Sequence, residues 1–323
     1  MIVRDELRAL RTDEGPQCAA QAVMHRALAK WCESDAVRAV QTALARFDEG
    51  AKFNALPQLR ALMTSEGGQG FVEAWLAPIA KALRTEPLAH VAQRHTDDAR
   101  QSSLLLAKVG RVTLSVHTRI ANPCGEEPAR DCVLSDIDTW DLVLAGSIEG
   151  RAITAHGSAG APELAAVPVE LGPGDTSFRA GRRDVLAIDR IERSFTILRL
   201  QCRAMVPQPA RAFDLATGQL LRQVAGDVRD SRTELMMALL RRMERREDVT
   251  LIAGLAREPG SSAVRWEAVR ECLALDSAAG FALLGELADR AGDPLRGDAH
   301  RLRARLLSEY PAFAQAGARL CRA

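Results

Sequence analysis

The sequence predicts an α+β chain in three blocks: a helical block over residues 1–101, an antiparallel β-barrel over 102–229, and a second helical block over 230–323. Three observations carry this division. The apolar period is helical to about residue 100, alternates in twos and is rich in Val, Ile and Leu to about 225, and is helical again from Asp230. Gly, Pro and Asp cut the middle stretch into short runs, as tight turns between strands require. A chain of 323 residues also exceeds the length at which one core usually divides.

In the first block Ala22, Leu28, Val37, Val40, Leu44 and Phe47 recur at helical spacing, with Glu33-Ser34-Asp35 as a cap or break. Further helices are expected over 56–63, over 71–83 after a break at Gly67-Gly68, and over 87–94. In the middle block four hairpins are expected. They turn at Val109-Gly110, Gly146-Ser147, 190–193 and Ala216-Thr217-Gly218. Gly172-Pro173-Gly174-Asp175 reads as a turn, because it leads into a strand and not into the helix amino terminus that phosphate binding requires. In the third block Ser231-Arg232-Thr233-Glu234 forms a capping box. Helices follow over 235–243, 248–257, 261–274, 278–291, 294–309 and beyond Pro311.

Composition removes several functional classes. With 43 basic against 42 acidic side chains, bulk charge does not drive nucleic-acid or membrane binding. No run of eighteen apolar residues exists, so no membrane-spanning helix is expected. The start, Met1-Ile2-Val3-Arg4-Asp5-Glu6, lacks the apolar core of a signal peptide. Seven cysteines without a CxxC pair read as reduced thiols, which places the protein in the cytoplasm. Trp31, Trp75, Trp140 and Trp266 are spread over all three blocks, so no aromatic stacking platform is expected. Nucleophile-elbow, P-loop and dinucleotide fingerprints are absent.

Two stretches of the middle block, Trp140 to Gly146 (WDLVLAG) and Leu171 to Asp184 (LGPGDTSFRAGRRD), resemble the two motifs of the cupin family. The resemblance implies a small β-barrel. In metal-binding cupins it also implies an HxH pair and a carboxylate before the Gly that matches Gly146. Here that region, Cys132 to Thr139, contains no histidine, and the second-motif histidine falls on Asp184. Asp184, Cys132 and Asp136 or Asp138 are what remains of a ligand set. Asp184 reads more strongly as a turn or salt-bridge residue among Arg179, Arg182 and Arg183 than as a ligand. In the third block, Leu255-Ala256 with 262–268, and Leu287-Ala288 with 293–299, are similar to two HEAT-like repeats offset by 31 or 32 residues. Asp293 would cap the second helix of the later copy and Pro294 suits its first turn. That resemblance implies a protein-binding platform.

Candidate chemistry is sparse. His90 and His95 are five apart on an expected helix, about 140° apart around its axis, and do not share a face. His117 and His156 fall on expected strands and, with Asp184, form the remaining route to a metal or an acid–base site. Arg241, Arg245, Arg265 and Arg296 are candidates for an interaction surface. Interleaved Glu234, Glu244 and Glu247 favour a salt-bridged face over phosphate binding. Met236-Met237, Leu239-Leu240 and Met243 read as core. The expected protein is a non-catalytic cupin-like ligand-binding or scaffold protein that uses no cofactor. Its helical blocks contact a protein partner, a small-molecule ligand is admitted, and a homo-oligomer stays open. One alternative is a metal-dependent cupin-type enzyme, of the oxygenase or isomerase class, using His117, His156 and Asp184. The other is a nucleic-acid-binding regulator using the carboxy-terminal arginines.

Overall fold

A computed structural model describes residues 13–91, 93–124, 127–158, 161–205 and 208–310. The Met1–Glu6 start, Cys321 and the helix expected beyond Pro311 lie outside the described residues. The chain divides into two compact units: Met1–Val206 with Ala212–Leu221, and Pro207–Arg211 with Arg222–Ala323.

Among the described residues the first unit begins with four α-helices, α1 (Gly15–Cys32), α2 (Asp35–Asp48), α3 (Pro57–Leu62) and α4 (Ser65–Thr85). The expected break at Glu33-Ser34-Asp35 separates α1 from α2. Gly67-Gly68, by contrast, lies inside α4, whose amino terminus is capped by Thr64 Oγ1 accepting from the Gly67 amide at 3.2 Å. A β-carbon on Gly68 would stand 2.2 Å from the Leu142 side chain, so the missing side chain is what seats the helix on the sheet. The helix expected over 87–94 is not formed. Pro87 pushes Glu86 out of helical dihedrals, to φ −128° and ψ 81°, and α4 ends at Thr85. His90 is therefore in an irregular segment and His95 begins a strand.

Ten strands follow among the described residues: β1 (His95–Asp97), β2 (Gln101–Val109), β3 (Val112–Ile120), β4 (Asp131–Leu134), β5 (Ile137–Ser158), β6 (Ala161–Leu171), β7 (Thr176–Arg179), β8 (Asp184–Arg203), β9 (Ala210–Asp214) and β10 (Leu220–Val224). Seven form one antiparallel sheet in the order β1-β2-β3-β8-β5-β6, with β7 also paired to β5; the others form a three-stranded sheet, β10-β9-β4. Among the described residues the pairing defines two sheets and not the closed barrel the sequence suggested. The hairpins at Gly110 and at Ala216-Thr217-Gly218 are present, the latter pinned by Asp214 Oδ1 accepting from the Ala216 and Thr217 amides. Those expected at Gly146-Ser147 and 190–193 are not. There β5 and β8 run on as strands of 22 and 20 residues, paired with each other across register shifts at Val143/Ala145 and Gly146/Ile148. Gly146 has φ +77°, and a β-carbon on it would lie 1.7 Å from the Ser194 carbonyl oxygen. The glycine makes a bulge that bends the strand pair, where the sequence suggested a reversal.

Residue alternation gives the large sheet two faces. Val112, Leu114, Leu142, Leu198 and Leu200 point to the helices and are continuous with Leu44, Phe47, Leu59, Leu62, Phe71 and Trp75 in one core. The amino-terminal helices and the sheet are thus one unit with a shared interior, and residue 101 does not separate two cores. A smaller core of Cys132, Leu134, Ile153, Ala187 and Phe213 joins the two sheets.

The second unit contains α5 (Val228–Arg242), α6 (Val249–Arg257), α7 (Ser262–Leu275), α8 (Ser277–Asp289) and α9 (Arg296–Glu309). Its core gathers Met237, Ile252, Ala256, Ala268, Cys272, Leu284, Leu287 and Ala299. The cap of α5 is Asp227, which accepts from the Arg229 amide at 2.7 Å, so the helix starts before the expected capping box. Its apolar set divides: Met237 is buried, whereas Met236, Leu239 and Met243 are 63%, 49% and 62% exposed. Asp293 Oδ1 accepts from the Leu295 amide at 2.9 Å ahead of α9. Among the described residues, no helix is long and apolar enough to cross a membrane.

Candidate ligand-binding site

The face of the large sheet turned away from the helices is polar along three neighbouring strands. Strand alternation puts His117 and Arg119 of β3, Phe195, Ile197, Arg199 and Gln201 of β8, and Ile137, Thr139 and Asp141 of β5 around one cavity of about 320 Å³. Register makes the arrangement specific. Ser115 stands opposite Arg199, Arg199 opposite Asp141, and Asp141 opposite Ser177, so one row of polar side chains crosses four strands.

Asp141 is the centre of that row and only 3% exposed. Arg199 grips it with both arms, Nε on Oδ1 at 2.7 Å and Nη2 on Oδ2 at 2.9 Å, and Arg179 Nη2 donates to Oδ2 at 2.5 Å. Burial pushes the Asp141 carboxyl up, but the hydrogen bonds and charges of Arg199 and Arg179 outweigh it and hold the group below the usual carboxylate range. Arg179 also donates to Ser177 Oγ at 3.2 Å, and Gln201 Nε2 donates to Thr139 Oγ1 at 3.3 Å. His117 Nε2 lies 2.9 Å from Ser115 Oγ. Burial, and then the charge of Arg199, lower the His117 pKa to about 4, so the ring is neutral near pH 7. The cavity also has an apolar side, built from Leu186, Ile188, Phe195 and Ile197 along β8. Two guanidiniums against one carboxylate leave this centre with a positive charge beside an apolar wall.

The structure separates the residues the sequence had grouped. His117 lines the cavity. Asp184 lines its edge, but its carboxylate accepts from the Ala180 amide and from the Arg183 guanidinium, both at 3.2 Å. His156 is exposed near the end of the β5–β6 pair, opposite Glu163. Cys132 is buried in the small core between the sheets, and burial raises its thiol pKa. Asp136 is held by both arms of Arg182, and Asp138 accepts from the Gly181 amide at 3.1 Å. Among the described residues no three His, Cys, Asp or Glu side chains are placed to hold a metal ion. The transition metal that the cupin resemblance raises does not fit this donor set, since each carboxylate near the cavity is engaged by guanidinium or amide.

In the second unit Arg265 is interior and not a surface residue. It is 5% exposed, with Nη2 on Asp293 Oδ2 at 2.5 Å and Nε on the Ala256 carbonyl at 2.9 Å. Arg241 pairs with Glu271 at 2.7 Å, Arg245 with Glu247 and with Asp248 at 3.2 Å, and Arg296 Nε donates to the Ala288 carbonyl at 3.1 Å.

Sequence reasoning overlooked Arg179, Arg199 and Asp141 as a set. The only local signal is a charged residue at alternate positions of otherwise apolar strands, as in Trp140-Asp141-Leu142 and Leu198-Arg199-Leu200.

These features define an α+β protein with helices on one face of an antiparallel sheet and a polar cavity on the other. No family model and no curated protein matches the chain. Among solved structures it is similar to a cupin superfamily protein from Desulfitobacterium hafniense, at 20% identity over 34% of this chain and 83% of that one, with a TM-score of 0.23. It is also similar to the DMSP lyase DddQ from Ruegeria pomeroyi, at 16% identity over 42% of this chain and 66% of that one, TM-score 0.27. A vicilin from Capsicum annuum matches at 12% identity over 37% of this chain and 32% of that one, TM-score 0.27, so this chain spans about a third of the vicilin's length.

Proposed function

We propose that this chain is a non-catalytic, cytoplasmic binding protein with a cupin-like domain whose cavity takes a small anionic ligand with an apolar tail. The observation that carries this reading is the Asp141 carboxylate shared by Arg179 and Arg199. A carboxylate or phosphate entering the cavity completes the coordination of two guanidiniums that have one anion between them. Phe195, Ile197, Leu186 and Ile188 accept the tail. A volume of about 320 Å³ suits a ligand of a few to a dozen heavy atoms. His117, neutral and next to Ser115, adds hydrogen bonding without adding charge.

The test compares hexanoate with hexan-1-ol, which share a tail and differ in the anion. Hexanoate is expected to raise the melting temperature in a saturable way, through linkage between binding and folding, while the alcohol has little effect. Equal shifts from both compounds would contradict an anion site.

The helical unit is the proposed protein-contacting part, related to HEAT-like repeats. Leu235, Met236, Leu239 and Met243 of α5 and its end are exposed, with Arg232 and Arg242 alongside. The matching partner is a helix with an apolar face and acidic flanks. An acidic amphipathic helical peptide should bind, and Leu239→Glu with Met243→Glu should abolish this. Equal binding by a peptide with its acids changed to lysine would overturn the assignment.

A further inference from the structure

The same alternation that turns Asp141 and Arg179 into the cavity turns their neighbours Trp140 and Phe178 to the opposite side of the sheet. There the sequence's expectation of dispersed aromatics fails. Trp140 stacks with Phe53 at 5.1 Å between ring centroids and 20° between planes, lies 4.7 Å from Phe178, and meets Phe47 edge-on at 5.4 Å. Phe47 belongs to α2, Phe53 to the short turn before α3, Trp140 to β5 and Phe178 to β7. No local sequence pattern could have joined them.

Phe53, Trp140 and Phe178 of this cluster form one wall of a cleft of about 530 Å³, completed by Pro57, Met63, Thr64 and Arg60. That volume is in the range of small-molecule sites and far below what a protein partner occupies. Phe178 is 52% exposed, although it sits in an aromatic stack, so a large apolar surface is left to water inside a concavity. Arg60 is exposed at the cleft and makes no ion pair among the described residues. The other charged residue bordering the cleft, Asp141, has its carboxylate committed to Arg179 and Arg199. The cleft therefore offers an aromatic surface and one uncompensated cation.

We propose that the Phe53–Trp140–Phe178 cleft is a second binding site, distinct from the cavity on the far side of β5, and that it takes a small planar aromatic carboxylate. The rings stack on the exposed aromatic wall and the carboxylate pairs with Arg60. The cleft and the cavity share Asp141 at their border, but Phe53, Trp140, Phe178 and Arg60 line only the cleft.

The test is calorimetric titration of the full chain with 1-naphthoate, with 1-naphthylmethanol as the uncharged control. Binding of 1-naphthoate is expected, weakening roughly tenfold in Phe178→Ala and about fivefold in Arg60→Gln. Arg60→Gln should also remove most of the salt dependence. Hexanoate binding should survive both substitutions, and 1-naphthoate binding should survive Ile197→Ala, whose side chain lines only the cavity, which separates the two sites. Arg60 is an exposed side chain, so its variant tests the idea even if Phe178→Ala unfolds. Absence of 1-naphthoate binding, equal affinity for 1-naphthylmethanol, or loss through Ile197→Ala in place of Phe178→Ala and Arg60→Gln would overturn the proposal.

Discussion

Strands β3, β5 and β8 carry Leu114, Leu142 and Leu198 on one face and His117, Asp141 and Arg199 on the other. The first set is fully buried under α2, α3 and α4 and is continuous with the helical interior. The second set surrounds a cavity and is linked by ion pairs. Burial of apolar area explains why the helices sit where they do. It does not explain the other face. A buried ion pair is weak support for a fold, since well-packed apolar residues in its place are often neutral or stabilising. The polar row is understandable as a recognition surface, with the helix-covered face supplying the stability it needs.

This contrast can be broken from either side. The largest effect is expected at Asp141. Asp141→Ala leaves Arg179 and Arg199 partly buried without their shared anion, and should cost about 3–5 kcal/mol in urea unfolding, near the cost of breaking a buried pair. A loss near zero would show that solvent already screens the two guanidiniums. Next is Leu198→Ala on the helix face, expected to cost about 2–5 kcal/mol as a cavity-forming change. Ile197→Ala, one residue along and 4% exposed, should cost less because the space it vacates adjoins an existing cavity. If Ile197→Ala proved the more costly, the cavity would be packed tighter than its geometry shows.

The last effect concerns pH. The His117 pKa is lowered to about 4 from 6.5, by burial first and by Arg199 second. The folded state thus resists a proton that the unfolded chain accepts. Its stability is complete above about pH 6.5 and declines as the pH falls toward 4. His117→Gln should flatten the stability profile in that window while leaving the steeper acid loss below it, where carboxylates protonate. An unchanged slope between pH 6.5 and 4 would assign the acid sensitivity to another group.

What was legible in the sequence follows the range of the interactions. The change from helical to alternating period marked the helix and strand regions, and Glu33-Ser34-Asp35 marked the α1–α2 break, because these signals are local. Gly146 was identifiable as special but not as a bulge, since a positive φ serves a turn and a bulge equally well. Its role follows from the 22-residue run of β5 along β8, which depends on a partner strand about fifty residues away. At α5 both caps are chemically competent, and the structure uses Asp227, which accepts from the Arg229 amide, with Ser231 inside the helix. The candidate site was least legible. Arg199 is 58 residues from Asp141 and Arg179 is 38, and only the β5–β7 and β5–β8 registers bring the three together. The cupin-like motif drew attention to Asp184, Asp136 and Asp138, which the structure commits to Arg183, Arg182 and backbone amides.

The Arg179–Asp141–Arg199 row is proposed to receive an anion. Calorimetric titration of hexanoate into the wild-type chain and into Arg199→Gln, at matched pH and ionic strength, tests it most directly. Saturable one-to-one binding by the wild type is expected, weakened by added salt and lost in Arg199→Gln while the variant stays folded by circular dichroism. Binding of equal strength in both proteins would contradict it.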